Sequence, residues 1–499
     1  MKDNKKIYLL TLYSNLIKTI ITSLVGIIMV PISLSYFGAE KYGVWSVINS
    51  FMIYLSMTNL GLNAAASILM NKNSEYQIKI KIFIKSLKII GIILPLMLII
   101  LYFLNSFFYN WIDILNSPAQ LLYEAKITTI VMVLFVLVNL PFSLVSSALV
   151  GFQKNYIDNL FGVINAILNL LGILIIIKLE KGLIFLAGLI GCFNLLINII
   201  KTIYFKIYIF NENKDKKYVE IENMDTNYKF ILVTGFRCLL GSIASMVVLN
   251  TDNIVISKIM GVDSVTSYSI TFKLYTLAFT LIYIFNSSII PLIGKEIQNK
   301  NFIKETYQKT YYGIVLLGGL FWIGAVAILK IIIYLWTGKD GYAGEGVVFF
   351  LGAYSYIFAI VNLNYIMINS FNYIKGIAMI TWLEGGANLL ISIYLSKSYG
   401  LVGIAIGTFL GTFLFPFFLF PIVLKSRTNE LIVQDIKFTI KHFLGAIVPS
   451  LIVALILSRY INSPIINIGL TTLLCFGYLF LSYICLPKKY RDIKLFLKK

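Results

Sequence analysis

Apolar runs of about 18 residues or more recur along the whole chain, each long enough to cross a bilayer as an α-helix. No other feature constrains the fold as strongly. In lipid, every backbone N–H and C=O must be satisfied internally, which leaves helices or closed barrels as the only spanning structures. Runs of this length select helices. They cover residues 8–36, 44–70, 89–108, 128–150, 156–177 and 182–204 in a first group. Residues 230–259, 265–293, 311–336, 347–371, 377–395 and 401–424 form a second, and 443–457 and 464–486 close the series. The expectation is an all-α integral membrane protein of about 14 transmembrane helices. Only 13% of the 499 residues are charged, against about 25% in soluble proteins, too few for a surface that faces water.

The charges also orient the chain. The basic segment Met1–Lys6 precedes a run too long for a signal-peptide core and without a small-x-small cleavage site, so it reads as a retained first span. With the N-terminus in the cytoplasm, about 30 Lys and Arg fall on the cytoplasmic side and about 8 on the other, as the positive-inside rule expects. Both termini are then cytoplasmic. The net charge of +20 is spread over loops in this way, so it is not a nucleic-acid face; membrane lipid headgroups are the contact it implies. Cys192, Cys238, Cys475 and Cys485 lie inside apolar runs with no CxxC pair, and His442 is the only histidine. A metal centre or His-based triad is therefore not expected, nor any cofactor, and no GxxxxGK[ST] loop supplies an ATPase motor.

The one long polar segment, residues 205–229, separates two groups of six spans. A weak internal repeat supports that division: GAEKYGVWSV (38–47) aligns with GVDSVTSYSI (261–270), pairing Gly38 with Gly261 and Trp45 with Tyr268. Six spans return the chain to the same side, so the repeats run parallel. The expected organisation is an N-terminal six-helix lobe (1–204), a cytoplasmic linker (205–229), a pseudo-symmetric C-terminal six-helix lobe (230–424), and two additional helices with a basic cytoplasmic tail (425–499).

Three segments carry a family resemblance. PISLSYFGAEKYGVWSVINSFMIYLSMTNLGLN (31–63), LVGFQKNYIDN (149–159) and TDNIVISKIMGVDSVTSYSITFKLY (251–275) resemble, in order and topology, bacterial polysaccharide (O-antigen-type) flippases. These belong to the multidrug/oligosaccharidyl-lipid/polysaccharide exporter superfamily. Two departures stand out. Asn59 occupies a place before Leu-Gly-Leu where the family often has an acid, and the last two spans exceed the family's usual twelve. The resemblance implies a non-enzymatic transporter in the cell inner (plasma) membrane. It would move polyprenyl-diphosphate-linked oligosaccharide units from the cytoplasmic to the outer leaflet by alternating access, for surface polysaccharide (lipopolysaccharide or capsule) assembly. A polysaccharide polymerase and chain-length machinery are the implied partners.

Charges inside spans mark candidate sites, because burying one at a helix centre costs at least about 2.5 kcal/mol. They are Lys18, Arg237, Asp252, Lys273, Lys330 and Glu384. Lys18 and Arg237 lie on the first spans of the two lobes and are candidates to bind the diphosphate or an acidic sugar; the plainer alternatives are that Lys18 snorkels and Arg237 pairs with Glu384. Lys273 is a further substrate-binding candidate. Asp252 and Lys273 flank one outer turn at similar depth and could pair, either as a structural salt bridge or as a gate. Asp252 and Glu384 are the candidates for ion coupling or gating. Gly403, Gly407 and Gly411 form a small-xxx-small series that lets helices approach closely, and in-span asparagines such as Asn59, Asn63 and Asn165 can either bond sugar hydroxyls or link helices.

Two other functions fit less well. A multidrug antiporter of the same superfamily would favour acidic linings, whereas the in-span charges run four basic to two acidic. A membrane polymerase or ligase would need a sizeable outer loop. A flippase for the peptidoglycan precursor lipid is not separated by sequence.

Overall fold

The computed structural model describes residues 2–73, 75–103, 119–207, 226–287, 289, 299–371, 373–460 and 463–491. Most of the loop after the third span, the body of the 205–229 linker, Pro291 and the last eight residues lie outside the described residues. The described chain is helical, with no strand. It contains thirteen helical segments long and apolar enough to cross a membrane; the first of them, at 51 residues, is long enough for two crossings. This agrees with the expected fourteen.

The first group comprises α1 (Lys2–Leu55), a 3₁₀ turn (Ser56–Asn59), α2 (Leu62–Lys72), α3 (Tyr76–Phe103), α4 (Ala119–Gly151), α5 (Asn155–Lys178) and α6 (Leu183–Phe205). Next come α7 (Tyr228–Met260), α8 (Val262–Ser287), α9 (Lys300–Thr337), α10 (Glu345–Ser370) and α11 (Ile374–Tyr399). The chain ends with α12 (Leu401–Leu414), α13 (Pro416–Arg427), α14 (Ile436–His442), α15 (Val448–Tyr460) and α16 (Pro464–Cys485).

Where helices break, the sequence supplies the cause. Residues 2–55 would form a rod of about 80 Å at 1.5 Å per residue, far more than a bilayer. Gly38, at φ 75° and ψ 172°, interrupts it, a conformation open essentially to glycine alone. Gly261, which the repeat pairs with Gly38, has φ 88° and lies between α7 and α8. Both aligned glycines therefore have a positive φ at a break between helices.

The expected single span 44–70 is broken. Leu60 (φ 50°) and Gly61 (φ 71°) are both left-handed and end the helix, and the Asn59 Oδ1 accepts from the Gly61 N–H at 2.8 Å. The run 401–424 is likewise divided at Phe415, because Pro416 offers no N–H to continue the ladder. Pro31 and Pro141 sit inside helices that continue through them.

The chain divides into two compact units. The first holds residues 1–246 and 260–265, and α4 is its hub, packing against α1, α2, α3, α5 and α6. The second holds residues 247–259 and 266–499. Its centre is α10, which packs against α9, α12 and α13. Val347, Leu351, Ala359 and Leu363 of α10 are fully enclosed, as expected of a helix apolar on all sides. The two additional helices dock on α9: the Tyr478 hydroxyl donates to the Leu316 carbonyl at 2.9 Å, and Gly319 leaves room for the Tyr478 ring.

Candidate functional site

Lys18 lies half-buried on α1. Its stem runs over Gly162 of α5, where a Cβ would stand 2.8 Å from Lys18 Cε. One turn back the same seam is polar: Asn159 Nδ2 donates to Ser14 Oγ at 3.0 Å. Glycine at 162 therefore makes the groove in which the long side chain lies. Among the described residues no carboxylate lies within ion-pair distance of Lys18.

Arg237 is exposed on the first half of α7. Two residues earlier, Gly235 takes the helix break of the second span against the α7 backbone. A Cβ at Gly61 would collide with the Gly235 carbonyl oxygen and come within 2.8 Å of the Leu239 nitrogen; a Cβ at Gly235 would meet the Leu60 carbonyl oxygen at 2.9 Å. The Tyr54 hydroxyl adds a bond to the Met246 carbonyl at 3.2 Å. The backbone that carries Arg237 is thus fixed by facing glycines. Like Lys18, Arg237 has no ion pair among the described residues.

The two acidic candidates, both in the second unit, have hydroxyl partners. Asp252, on the second half of α7, is 5% exposed. Its Oδ2 accepts from the Tyr268 hydroxyl of α8 at 2.7 Å and from Thr408 Oγ1 of α12 at 3.1 Å. Glu384 of α11 is 8% exposed, and its Oε1 accepts from Thr412 Oγ1 at 2.6 Å. Asn388, one turn beyond Glu384, donates to the Val248 carbonyl at 3.5 Å and accepts from Ser392.

The glycine series brings these groups together. A Cβ at Gly403 or Gly407 would collide with Leu395 or Ser392, and one at Gly411 would come within 3.1 Å of the Glu384 carbonyl oxygen. The bare α12 backbone therefore lies on α11, and Thr408 and Thr412, one turn apart, reach the two carboxylates. Burying a carboxylate without partners is costly, and these hydroxyls reduce that cost.

The Asp252–Lys273 pair does not form. Lys273 is exposed on α8 and has no ion pair among the described residues. A buried aspartate needs donors, and Asp252 finds them in Tyr268 and Thr408.

Sequence reasoning passed over three groups in the first unit. Lys201 of α6, only 5% exposed, donates to Ser146 Oγ of α4 at 2.5 Å and to Asp158 Oδ1 of α5 at 3.1 Å. It sits near the end of an apolar run and reads as a loop charge. Glu124 accepts from the Leu183 N–H at 2.7 Å, capping α6, and pairs with Lys41 at 3.0 Å. The third group is a set of asparagines on α4 and α6. No group of three or more His, Cys, Asp or Glu is placed to hold a metal among the described residues.

Comparison with known proteins agrees with this architecture. Two curated Salmonella proteins, each named "Putative O-antigen transporter", are similar to this chain. The one from Salmonella typhi is 24% identical over 446 residues, covering 85% of this chain and 97% of its own length. The one from Salmonella typhimurium is 21% identical over 441 residues, with the same coverage. Among solved structures, the lipid II flippase MurJ in an inward closed conformation superposes with a TM-score of 0.72 at 16% identity, covering 96% of this chain and 99% of that one. An inward-facing multidrug resistance MATE family transporter of the MOP superfamily gives 0.66 at 14% identity, covering 82% and 95%. At these identities the likeness is one of fold. The model of one family, described as polysaccharide biosynthesis protein, matches residues 11–297, more than half of the sequence; the chain is a multi-pass membrane protein that belongs to this family.

Proposed function

We propose that the protein is a flippase that moves polyprenyl-diphosphate-linked oligosaccharide units from the cytoplasmic to the outer leaflet of the plasma membrane by alternating access, supplying surface polysaccharide assembly. Both termini are cytoplasmic in this reading. The halves 1–204 and 230–424 act as its two lobes, residues 205–229 link them, and residues 425–499 are an addition. A polymerase and chain-length machinery receive the product.

The observation that carries the reading, within the family match, is the contrast between the in-span charges. The cations Lys18, Arg237 and Lys273 have no ion pair among the described residues, while the carboxylates of Asp252 and Glu384 are enclosed by hydroxyl donors. Unpaired cations suit an anionic substrate such as a diphosphate. In this proposal Arg237, Lys18 and Lys273 compensate the substrate's charge, and Asp252 and Glu384 take up and release the coupling cation or proton.

The test is a gene deletion with wild-type and Arg237→Ala copies restored at matched expression, following lipid-linked sugars and surface polymer. The expected result is accumulation of lipid-linked units on the cytoplasmic leaflet and loss of surface polymer, restored by wild type and not by Arg237→Ala. Unchanged surface polysaccharide, in a strain with no second flippase, overturns the reading and moves attention to drug efflux. Rescue by Arg237→Ala removes Arg237 from the substrate site.

A further inference from the structure

The first unit contains an open cavity of about 400 Å³ between the broken second span, α4 and α6, within the range of about 300–1,000 Å³ usual for small-ligand sites. Five asparagines line it: Asn59, Asn63, Asn139, Asn194 and Asn198. No charged residue does. Ser56 and Ser143 add hydroxyls, and the rest of the wall is apolar, including the Phe135 ring, which lies so close to α6 that a Cβ at Gly191 would overlap it.

The amides are held in place by one another. Asn198 Nδ2 donates to Asn139 Oδ1 at 2.9 Å, and Asn139 Nδ2 to the Phe135 carbonyl at 2.8 Å. Asn165 Nδ2 donates to Asn194 Oδ1 at 2.7 Å, and Asn194 Nδ2 to the Ile190 carbonyl at 2.9 Å. Asn63 Nδ2 donates to Ser143 Oγ at 2.9 Å, and Asn59 Oδ1 is taken by the Gly61 N–H. This network does not exhaust the groups, since each amide has two N–H donors and an oxygen with two lone pairs. Asn59 Nδ2 and Asn198 Oδ1 bond no described residue. Asn63 Oδ1 and Asn165 Oδ1 are buried acceptors that receive nothing from the described residues, an unfavourable state unless a donor meets them.

Rigid, neutral donors and acceptors beside an aromatic face match one chemistry well: an uncharged sugar ring, with hydroxyls around its edge and C–H groups on its faces. The ring's C–H groups suit the electron-rich face of Phe135. A cation finds no carboxylate in this wall, and an anion finds no Lys or Arg. We infer that this cavity is a subsite for one uncharged sugar residue, recognised by Asn59, Asn194 and Asn198 against Phe135. The assignment to the transported oligosaccharide rests on the flippase reading; the sugar site itself does not.

The experiment uses the purified full-length protein in detergent, titrated by calorimetry with glucose, galactose, rhamnose and N-acetylglucosamine, and with glucuronate as the charged control. At least one neutral sugar is expected to bind with a dissociation constant of about 1–10 mM, and glucuronate not to bind. Asn198→Leu should weaken the interaction about tenfold, the loss of one or two hydrogen bonds. Val136→Trp, which fills the cavity and leaves every amide in place, should abolish it. Thermal melts identify variants that fail to fold, and either variant alone suffices if the other does. No binding by any neutral sugar, or binding unaffected in a folded variant, overturns the inference. The deletion experiment reports separately. If surface polysaccharide survives deletion but the sugar titration and its variants behave as expected, the flippase reading fails and the sugar site stands. If deletion abolishes surface polymer and no sugar binds, the subsite fails and the flippase reading stands.

Discussion

Gly61→Ala is the sharpest test of the geometry that positions Arg237. Gly61 has φ 71°, and an L-residue there costs about 1–2 kcal/mol from its own Cβ. The new methyl also overlaps the Gly235 carbonyl oxygen and approaches the Leu239 nitrogen at 2.8 Å. Both atoms belong to helix backbone, so relief requires α7 to move, and overpacking of this kind costs about 1–3 kcal/mol. The expected destabilisation is therefore about 2–5 kcal/mol. Gly38→Ala separates the two contributions. Its φ is 75° but nothing lies within 4 Å of its Cβ position, so it bears only the backbone cost of about 1–3 kcal/mol. Gly91→Ala, in regular α3 with open space around it, should be neutral or stabilise by up to about 1 kcal/mol. Equilibrium unfolding of the purified variants in one detergent gives the order: Gly61→Ala lowest, Gly38→Ala intermediate, Gly91→Ala at or above wild type. If Gly61→Ala unfolds with Gly91→Ala, the break does not press on α7 and the account of how Arg237 is held is wrong.

Three further outcomes follow from the packing. Lys201→Met should destabilise by about 3–5 kcal/mol because it strands Asp158, and adding Asp158→Leu should recover most of the loss in a double-mutant cycle. Gly407→Val should separate α12 from α11, since Ser392 already occupies the space. It should cost at least about 2 kcal/mol and, by displacing Thr408 and Thr412, reduce transport even in the fraction that folds. Asp252→Asn keeps an oxygen for the Tyr268 hydroxyl and removes the charge. Its unfolding midpoint should stay close to wild type while complementation of the deletion strain fails, and full complementation would show that Asp252 is structural.

The sequence discloses topology more readily than side-chain partnerships, for physical reasons. A span announces itself through some 20 apolar residues, so the fourteen expected crossings needed only shifted ends or a break. Gly38 and Gly261 were legible as a pair because a positive φ at a helix junction leaves few residue choices. The break at Leu60–Gly61 was less so: an Asn-Leu-Gly stretch in an apolar run is also compatible with continuous helix, and the deciding contact with Gly235 is about 170 residues away in sequence. The partners of Asp252 were not legible because a hydroxyl donor, unlike an opposite charge, does not stand out in an apolar span. Asn139, Asn194 and Asn198 were passed over because a single asparagine in a span carries little information; their meaning lies in the convergence of α4 and α6.

The choice of hydroxyls over a lysine has a functional consequence. A lysine ammonium only donates, so a carboxylate paired with it loses the charge attraction and leaves an uncompensated cation when it gains a proton. Threonine and tyrosine hydroxyls both donate and accept. Thr412 can donate to Glu384 when the carboxylate is charged and accept from it when protonated, with no movement of α11 or α12. Tyr268 and Thr408 give Asp252 the same freedom. A carboxylate held in this way can change charge without losing its hydrogen bonds, whereas the Asp252–Lys273 pair would have fixed Asp252 as an anion. Under the proposed flippase cycle, Asp252 and Glu384 are the groups that exchange a proton or small cation, and Lys273, with no ion pair among the described residues, is left to the substrate.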